Sequence, residues 1–438
     1  MLAGLSAGAA TVVLPAFEAR AEAAPYEPVH YWSKILEDVV RQVGGAPGPL
    51  ARSAAIMHLA MYDAANSVTP IGRPYVVKQP VLGAASLNAA ICTAAYTVLR
   101  NLYPAITSFQ GNHTWALSQD ASTVTQAEKD RGSAIGKAAA DALLNARSND
   151  GALAPAVYTP DGEPGAWLAT GPESAATPQW GSLKPFGMSS SSQFRPPLPG
   201  GFATYQALLR SAQYAEQVDE VRRFGGHSDT QRTTILRTAE QTEIAKFWAN
   251  DLDGTYKPPS QLFQHTRIIA RKRTLTVVQN ARLFALLAMA LADAAIASWD
   301  AKYNTPIDLW RPVSAINRAD TDGNDATTAD PDWRPLSSRD DGSSFTPPFP
   351  AYISGHATFA GAWAAVLRLY FATDNIAFSA TTNDSYNGGV YRSFNTLSAA
   401  AEENTLSRVF LGVHYRWDGE QGLATGDAVG RHISNTYL

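Results

Sequence analysis

Between residues 50 and 66 the chain reads LARSAAIMHLAMYDAAN, where Ala54, Met57, His58, Met61 and Ala65 fall on one stripe of the i, i+3, i+4, i+7 kind. That spacing marks an amphipathic α-helix, because 3.6 residues complete a turn. It recurs over residues 84–103, 133–146, 203–217, 228–250, 277–298, 356–372 and 396–412. Alternation at period two, the mark of a half-buried strand, is scarce. Pro/Gly turn clusters separate the helical stretches: GGAPGP (44–49), TPDGEPG (159–165), PPLPGG (196–201), DGTYKPP (253–259) and TPPFP (346–350). Residues 170–200 are rich in Ser, Pro and Gly, and are expected to form a long surface loop or a cap over a site. No fixed-period repeat is visible. The expected class is all-α, with helical bundles packed together. After a leader over residues 1–25 we expect a single unit, 26–438, with a helical half at about 26–220 and a half at about 221–438 that carries the chemistry.

The chain has 438 residues, and apolar types make up 45% of them, enough for a sizeable core. Net charge is −4 and there is no Lys/Arg run, which argues against a nucleic-acid or anionic-membrane surface. Any anion site must be built locally. The single cysteine, Cys92, stands in an apolar run, which excludes an intrachain disulfide and reads as a small buried hydrophobe. Residues 2–16 are small and apolar and are followed by A-x-A-like sites, as in a secretory signal, although the basic n-region is missing. The expectation is export, secreted or periplasmic; a leader that is no signal would leave the protein cytoplasmic. No membrane span is expected, since the best candidate, residues 283–298, is short and contains Asp293. RADTDGNDATTAD (318–330) fails the EF-hand pattern, because Gly323 is misplaced and the closing Glu is absent, so it reads as a polar connection.

Three separated segments share one chemical character. WDAKYNTPIDLWRPVSAI (299–316) carries Lys302 and Arg311, FPAYISGHATFAGAW (349–363) carries Ser354, Gly355 and His356, and SRVFLGVHYRWDGEQG (407–422) carries Arg408, His414 and Asp418. Cations, imidazoles, a hydroxyl and a glycine amide together suit a tetrahedral oxyanion. Arginine forks match its oxygens in pairs, and Ser-Gly-His before a helix places amides at a helix N-terminus, which favours anions. His414 and Asp418 stand four apart and would share a helix face, so the carboxylate would orient the imidazole and raise its basicity. That makes His414 the better nucleophile or metal ligand and leaves His356 as acid or base. The bland alternative is a set of unrelated core salt bridges; three pieces in this order weigh against it.

With these residues in place, the chain resembles the vanadium-dependent haloperoxidases, and through them the type 2 phosphatidic acid phosphatase superfamily. The family pattern is a lysine followed by RP, then PSGH, then SR-x5-H-x3-D. Arg311-Pro312, Ser354-Gly355-His356 and Ser407-Arg408 through His414 to Asp418 match it in order. The likeness reaches MHLAMYDAAN (57–66), FWAND (247–251), the prolines at 258–259 and LADAAIASW (291–299). The resemblance implies the haloperoxidase/acid phosphatase-like fold and vanadate as cofactor, with phosphate able to take its place. His414 would be the vanadium ligand. Lys302, Arg311, Arg408, Ser354 and the Gly355 amide would hold the oxygens, with Asp418 behind His414. His356 would be the acid–base residue, Lys302 would polarise peroxide, and Asp251 would pair with Arg408. Hydrogen peroxide and halide would yield a hypohalous acid equivalent that halogenates small organic substrates. Phe349 and Trp299 stand where aromatic residues accompany chloride oxidation.

The chain departs from the pattern twice. Ile353 replaces the proline before Ser354, and eight residues separate Lys302 from Arg311 where the family usually has six. On an uninterrupted helix that spacing would turn the two cations to opposite faces, so Pro306 is expected to break or bulge the helix and let Lys302 reach the site. Two other functions use the same residues. An acid phosphatase would employ His414 as nucleophile and His356 as the acid that protonates the leaving alcohol. A non-catalytic oxyanion-binding protein would need neither histidine.

Overall fold

The structure, a computed structural model, describes residues 25–339, 342–382, 384 and 387–437. The expected leader, residues 1–25, lies outside them except for Pro25. The described residues are mostly helical, as expected. The first half supplies α1 (Pro28–Val43), α2 (Pro47–Val68), α3 (Leu87–Leu102), α4 (Phe109–Leu117), α5 (Gln126–Ala146), α6 (Tyr205–Leu209) and α7 (Ala212–Gly225). The second supplies α8 (Ala239–Phe247), α9 (Lys257–Arg271), α10 (Val277–Tyr303), α11 (Pro312–Asn317), α12 (Gly355–Phe371), α13 (Leu397–Phe410) and α14 (Arg416–Thr436). One antiparallel hairpin, β1 (Phe378–Thr381) with β2 (Tyr391–Phe394), interrupts them.

Two sequence expectations need correction. The stretch 228–250 is helical only from Ala239, because Thr238 caps α8 in a reciprocal box with Gln241 and sets its start there. Residues 203–217 form two helices, not one, since Ser211 caps α7 anew by accepting from Tyr214 N–H.

The axis of the molecule is α10, which packs along α2 and α12. It runs 27 residues, longer than expected, and by length and composition it could cross a membrane; yet 94% of its most apolar window is buried inside the protein. An apolar helix with no polar face belongs at a core. It carries two carboxylates. Asp300 pairs with Arg195, and Asp293 accepts three consecutive backbone N–H groups, from Phe186, Gly187 and Met188, at 2.6–2.7 Å. Asp63 in α2 does the same for Tyr75, Val76 and Val77. Each buried carboxylate thus fastens a loop onto a core helix and satisfies its own hydrogen-bonding capacity.

The seam between α12 and α14 places the chemistry. Gly422, Gly426 and Gly430 repeat every four residues on α14 and lie against the backbone of α12. A Cβ added at Gly426 would stand 2.0 Å from the Thr358 carbonyl oxygen, and at Gly422 2.7 Å from that of Ser354. Only hydrogen side chains allow this approach. It brings the first turn of α14 onto the first turn of α12, where Ser354 N–H donates to the Asp418 carbonyl at 2.8 Å. Gly426→Ala is therefore expected to destabilise the protein by about 1–3 kcal/mol through overpacking, measured by denaturant unfolding. An unchanged midpoint would show that the seam yields more easily than this packing implies.

Candidate functional site

Lys302, Arg311, Ser354 and Arg408 are wholly buried, and His356 and His414 are nearly so. They come from four places. Lys302 is in the last turn of α10. Arg311 is the N-cap of α11, Ser354 the N-cap of α12, and Arg408 is in the last turn of α13.

His414 is not helical, contrary to the expectation of a shared helix face. α13 ends at Phe410, Gly412 takes a left-handed φ of 80°, and α14 begins at Arg416, so His414 lies in the connection. The pairing nevertheless forms. His414 Nδ1 is 3.0 Å from Asp418 Oδ2, and the same oxygen accepts Tyr415 N–H at 3.1 Å as the capping carboxylate of α14. Arg311 Nη1 lies 3.1 Å from His414 Nε2. A guanidinium only donates, so Nε2 carries the lone pair and Nδ1 the proton given to Asp418. The basic nitrogen therefore points at the cations.

Lys302 and Arg311 do not share a helix either. α10 ends at Tyr303, before Pro306, and an extended connection leads to Arg311. Both cations converge on one ring: Lys302 Nζ is 5.0 Å and Arg311 Cζ 4.8 Å from the centroid of Phe349. Lys302 Nζ donates to the carbonyls of Pro350 (2.7 Å) and Ala351 (3.1 Å), and Arg311 Nε to that of Phe349 (2.7 Å). The segment before Ser354 is thus a carbonyl cradle for both. Trp299 packs 4.8 Å from Phe349, centroid to centroid, and its ring lies against Gly355.

Arg408 Nη2 is 2.5 Å from Asp251 Oδ2 and Nη1 donates to the Trp248 carbonyl at 3.4 Å. His356 Nε2 lies 3.0 Å from the Ala249 carbonyl, which fixes its proton there, while Nδ1 stands 3.9 Å from Asp251 Oδ1. Sequence reasoning missed two supports of this strap. Lys257 Nζ donates to the Asp251 carbonyl at 2.7 Å, and Asp384 Oδ2 accepts Asn250 N–H at 3.0 Å. Lys257 directly precedes the prolines already singled out at 258–259; Asp384 carries no local sequence signal.

The electrostatics ask for a negative guest. Arg311 and Arg408 stand against Asp251 in a buried space, an excess of +1 that is the same whether Lys302 and Asp418 are both charged or both neutral. Burial and the neighbouring Arg311 push the Lys302 ammonium well below its usual range, and burial pushes Asp418 up to about 7. Burial and the surrounding cations hold His414 well below the usual imidazole range, and burial with Arg408 brings His356 down to about 3. Asp251 moves the other way: burial disfavours its charge, but Arg408 and His356 outweigh it and leave it below the ordinary carboxylate range. Arg311 Nη2 and Arg408 Nε are buried without a partner. Orphaned guanidinium donors beside an imidazole lone pair fit a tetrahedral oxyanion. Vanadate is such an anion and needs one nitrogen ligand; among the described residues there is no group of three metal-ligating side chains for a bare cation. Ser354 Oγ accepts Ala357 N–H at 3.4 Å, which leaves its proton for a ligand oxygen.

Two cavities reach Asp251. One, of about 830 Å³, is walled by Pro172, Ala176, Pro347, Pro348 and Phe349; the other, of about 500 Å³, is polar and includes Ala249 and Asp384. The 170–200 segment is therefore part wall: Ala176 N–H donates to the Pro348 carbonyl and its own carbonyl accepts Trp299 Nε1.

Residues 282–438 match the family described as VCPO second helical-bundle domain, a stretch that carries every site residue expected from the sequence except Asp251. The chain resembles the vanadium-dependent haloperoxidases. Over 257 residues it is 32% identical to the vanadium chloroperoxidase of Curvularia inaequalis, covering 48% of this chain and 41% of that protein. Over 138 residues it is 33% identical to a vanadium-dependent bromoperoxidase of Ascophyllum nodosum, covering 28% of this chain and 22% of that protein. The matched stretches thus span less than half of either relative. The haloperoxidase fold extends further. A bacterial vanadium-dependent iodoperoxidase superposes with a TM-score of 0.76 at 23% identity, over 95% of this chain and 98% of that one. A holo-type bacterial vanadium-dependent chloroperoxidase gives 0.70 at 18%, over 94% and 96%.

Among haloperoxidase-like features, the Asp418–His414 contact is the most directly testable. Asp418→Asn is expected to weaken orthovanadate binding about 10–100-fold, because the neutral amide can still accept Nδ1–H but no longer raises the basicity of Nε2. Titration calorimetry measures it; unchanged affinity would reduce Asp418 to the cap of α14.

Proposed function

We propose that the protein is a vanadate-dependent haloperoxidase that oxidises bromide or chloride with hydrogen peroxide to a hypohalous acid equivalent. The observation that carries this reading is the buried cationic pocket in which Arg311 Nη2 and Arg408 Nε have no partner and the lone pair of His414 Nε2 lies 3.1 Å from Arg311 Nη1. His414 Nε2 would ligate vanadium, and Arg311, Arg408, Lys302, Ser354 and the Gly355 amide would hold the oxygens. When bound, vanadate supplies a Lewis-acidic centre at which peroxide becomes an oxidant for halide.

The chain's own residues do the rest. His356 is neutral, with its Nε2 proton committed to the Ala249 carbonyl and its Nδ1 bare, so Nδ1 can take the proton that hydrogen peroxide must lose. Asp251 keeps Arg408 aimed while facing both cavities. Burial and Arg311 disfavour the Lys302 ammonium in the pocket without its anion; a bound oxyanion would restore that charge and let Lys302 polarise the peroxide oxygens. Phe349 walls the larger cavity with apolar surface, and Trp299 packs behind it and against Gly355.

An acid phosphatase would use the same pocket with phosphate in place of vanadate, so one experiment separates the two. Purified apoprotein is assayed with peroxide, bromide or chloride and a halogen-responsive dye, before and after orthovanadate is added; a parallel sample receives a phosphate ester without peroxide. Vanadate-dependent halogenation is expected. Ester hydrolysis inhibited by vanadate, with no halogenation, would make the protein a phosphatase. His414→Ala should lose vanadium on gel filtration, whereas His356→Ala should retain it and lose about 10²–10⁴-fold in turnover. Stoichiometric vanadium on the His414→Ala protein would overturn the ligand assignment.

A further inference from the structure

The connection between Lys302 and Arg311 is two residues longer than the haloperoxidase pattern, and the structure shows what holds it. Asp308, three residues before Arg311, is gripped by two tyrosines. Tyr158 donates its hydroxyl to Asp308 Oδ2 and Tyr205 donates to Oδ1, while Asp308 N–H donates to the Tyr205 hydroxyl at 3.0 Å. Gly165, with φ of 95°, lets the backbone lie against the Tyr205 ring; a Cβ there would come within 2.8 Å of it.

Around this clamp the connection is laced on both edges. Trp167 N–H donates to the Asp308 carbonyl at 2.7 Å and Trp310 N–H to that of Gly165 at 2.8 Å, an antiparallel bridge centred on Ala166 and Leu309. On the other edge Ala351 N–H donates to the Leu309 carbonyl at 2.8 Å. Ala351 in turn accepts from Lys302 Nζ, and Phe349, two residues earlier, accepts from Arg311 Nε. The clamped strand, the carbonyl cradle and the two cations therefore form one connected unit.

We propose that Tyr158 and Tyr205, acting through Asp308, are positioning residues for Arg311. Their clamp takes up the two additional residues and sets the guanidinium beside His414 Nε2, with Nη2 left free for an oxyanion. The inference rests on the oxyanion-site reading given above. Neither tyrosine is hydrogen-bonded to a site residue, and the other side-chain bonds of the connection upstream of Trp310 are made by neutral groups: Asn304 Nδ2 donates to the Gly181 carbonyl at 3.0 Å, and Thr305 to backbone carbonyls near its own position.

The test measures anion affinity separately from stability. Orthovanadate and phosphate are titrated calorimetrically into the full chain, its Tyr158→Phe/Tyr205→Phe variant and, as a control of ordinary destabilisation far from the clamp, Leu143→Ala. Misplacing one charged donor should weaken orthovanadate binding by about tenfold or more in the double variant. Leu143→Ala should lower Tm and leave affinity within about twofold, since remote sites act independently. If the double variant does not fold, Asp308→Asn, which keeps one carbonyl oxygen for a tyrosine, should show a weakening of about threefold or more on the same scale. Unchanged affinity in a folded clamp variant would overturn the clamp alone. Equal weakening in Leu143→Ala would overturn it too, by tracing the effect to stability. An unaltered protein that binds neither anion would overturn the oxyanion reading and the clamp with it.

Discussion

The buried excess of positive charge around His414 is the constraint on which the rest of the structure depends. Lys302, Arg311 and Arg408 are wholly enclosed, with Asp251 and Asp418 as their carboxylate partners. Burying unpaired charge costs several kcal/mol per ion unless partners compensate. The compensation here is mostly backbone: the carbonyls of Trp248, Phe349, Pro350, Ala351 and Val413 all accept from these cations. Carbonyl dipoles solvate a cation without neutralising it. The field in the pocket therefore stays positive, and the remaining free donors are those that an anion would satisfy.

Such a pocket must be rigid, because carbonyls that relaxed outwards would leave the cations bare. Rigidity comes from elements far apart in sequence. The glycine seam locks the start of α14 to the start of α12. The strap 248–251 is gripped at successive residues by Arg408, His356, Asp384 and Lys257, with Asn250 held at a left-handed φ of 43°. A non-glycine residue in that region carries strain that its surroundings must outweigh, and here four side chains do so.

Much of this was legible in the sequence, and the failures have identifiable reasons. Helical periodicity gave the class and most helices, since α2, α3, α10 and α12 are long and strongly patterned. The motif residues, read by type and order, were brought together from four elements by packing that no local pattern encodes. The placement of His414 on a helix failed because the four-residue interval to Asp418 was read as a helix face, although Gly412 stood in the usual position for a helix stop. The same distance is met by a capping carboxylate reaching back across a helix start. Likewise Thr238-x-x-Gln241 announced the true start of α8. Asp384 and Asp308 are another matter. Their roles depend on chain segments more than 100 residues away, Asn250 for one and Tyr158 and Tyr205 for the other.

Phosphate and vanadate share shape and charge, so the donors alone do not choose between the two chemistries. The two chemistries ask different things of His356. A phosphate ester's leaving alcohol must be given a proton, and hydrogen peroxide must lose one. In this pocket His356 is held neutral, its single proton is spent on the Ala249 carbonyl, and the nitrogen that remains is an acceptor. To serve as a general acid it would first have to gain a proton beside Arg408, against both burial and like charge. To serve as a base it needs only the state it already occupies. An anion in the pocket would ease protonation by offsetting the cations, which is the direction required once peroxide has handed its proton over. The resting state of this one imidazole is thus the acceptor that hydrogen peroxide needs, while a phosphate ester, an anion itself, would ease its protonation together with Asp251.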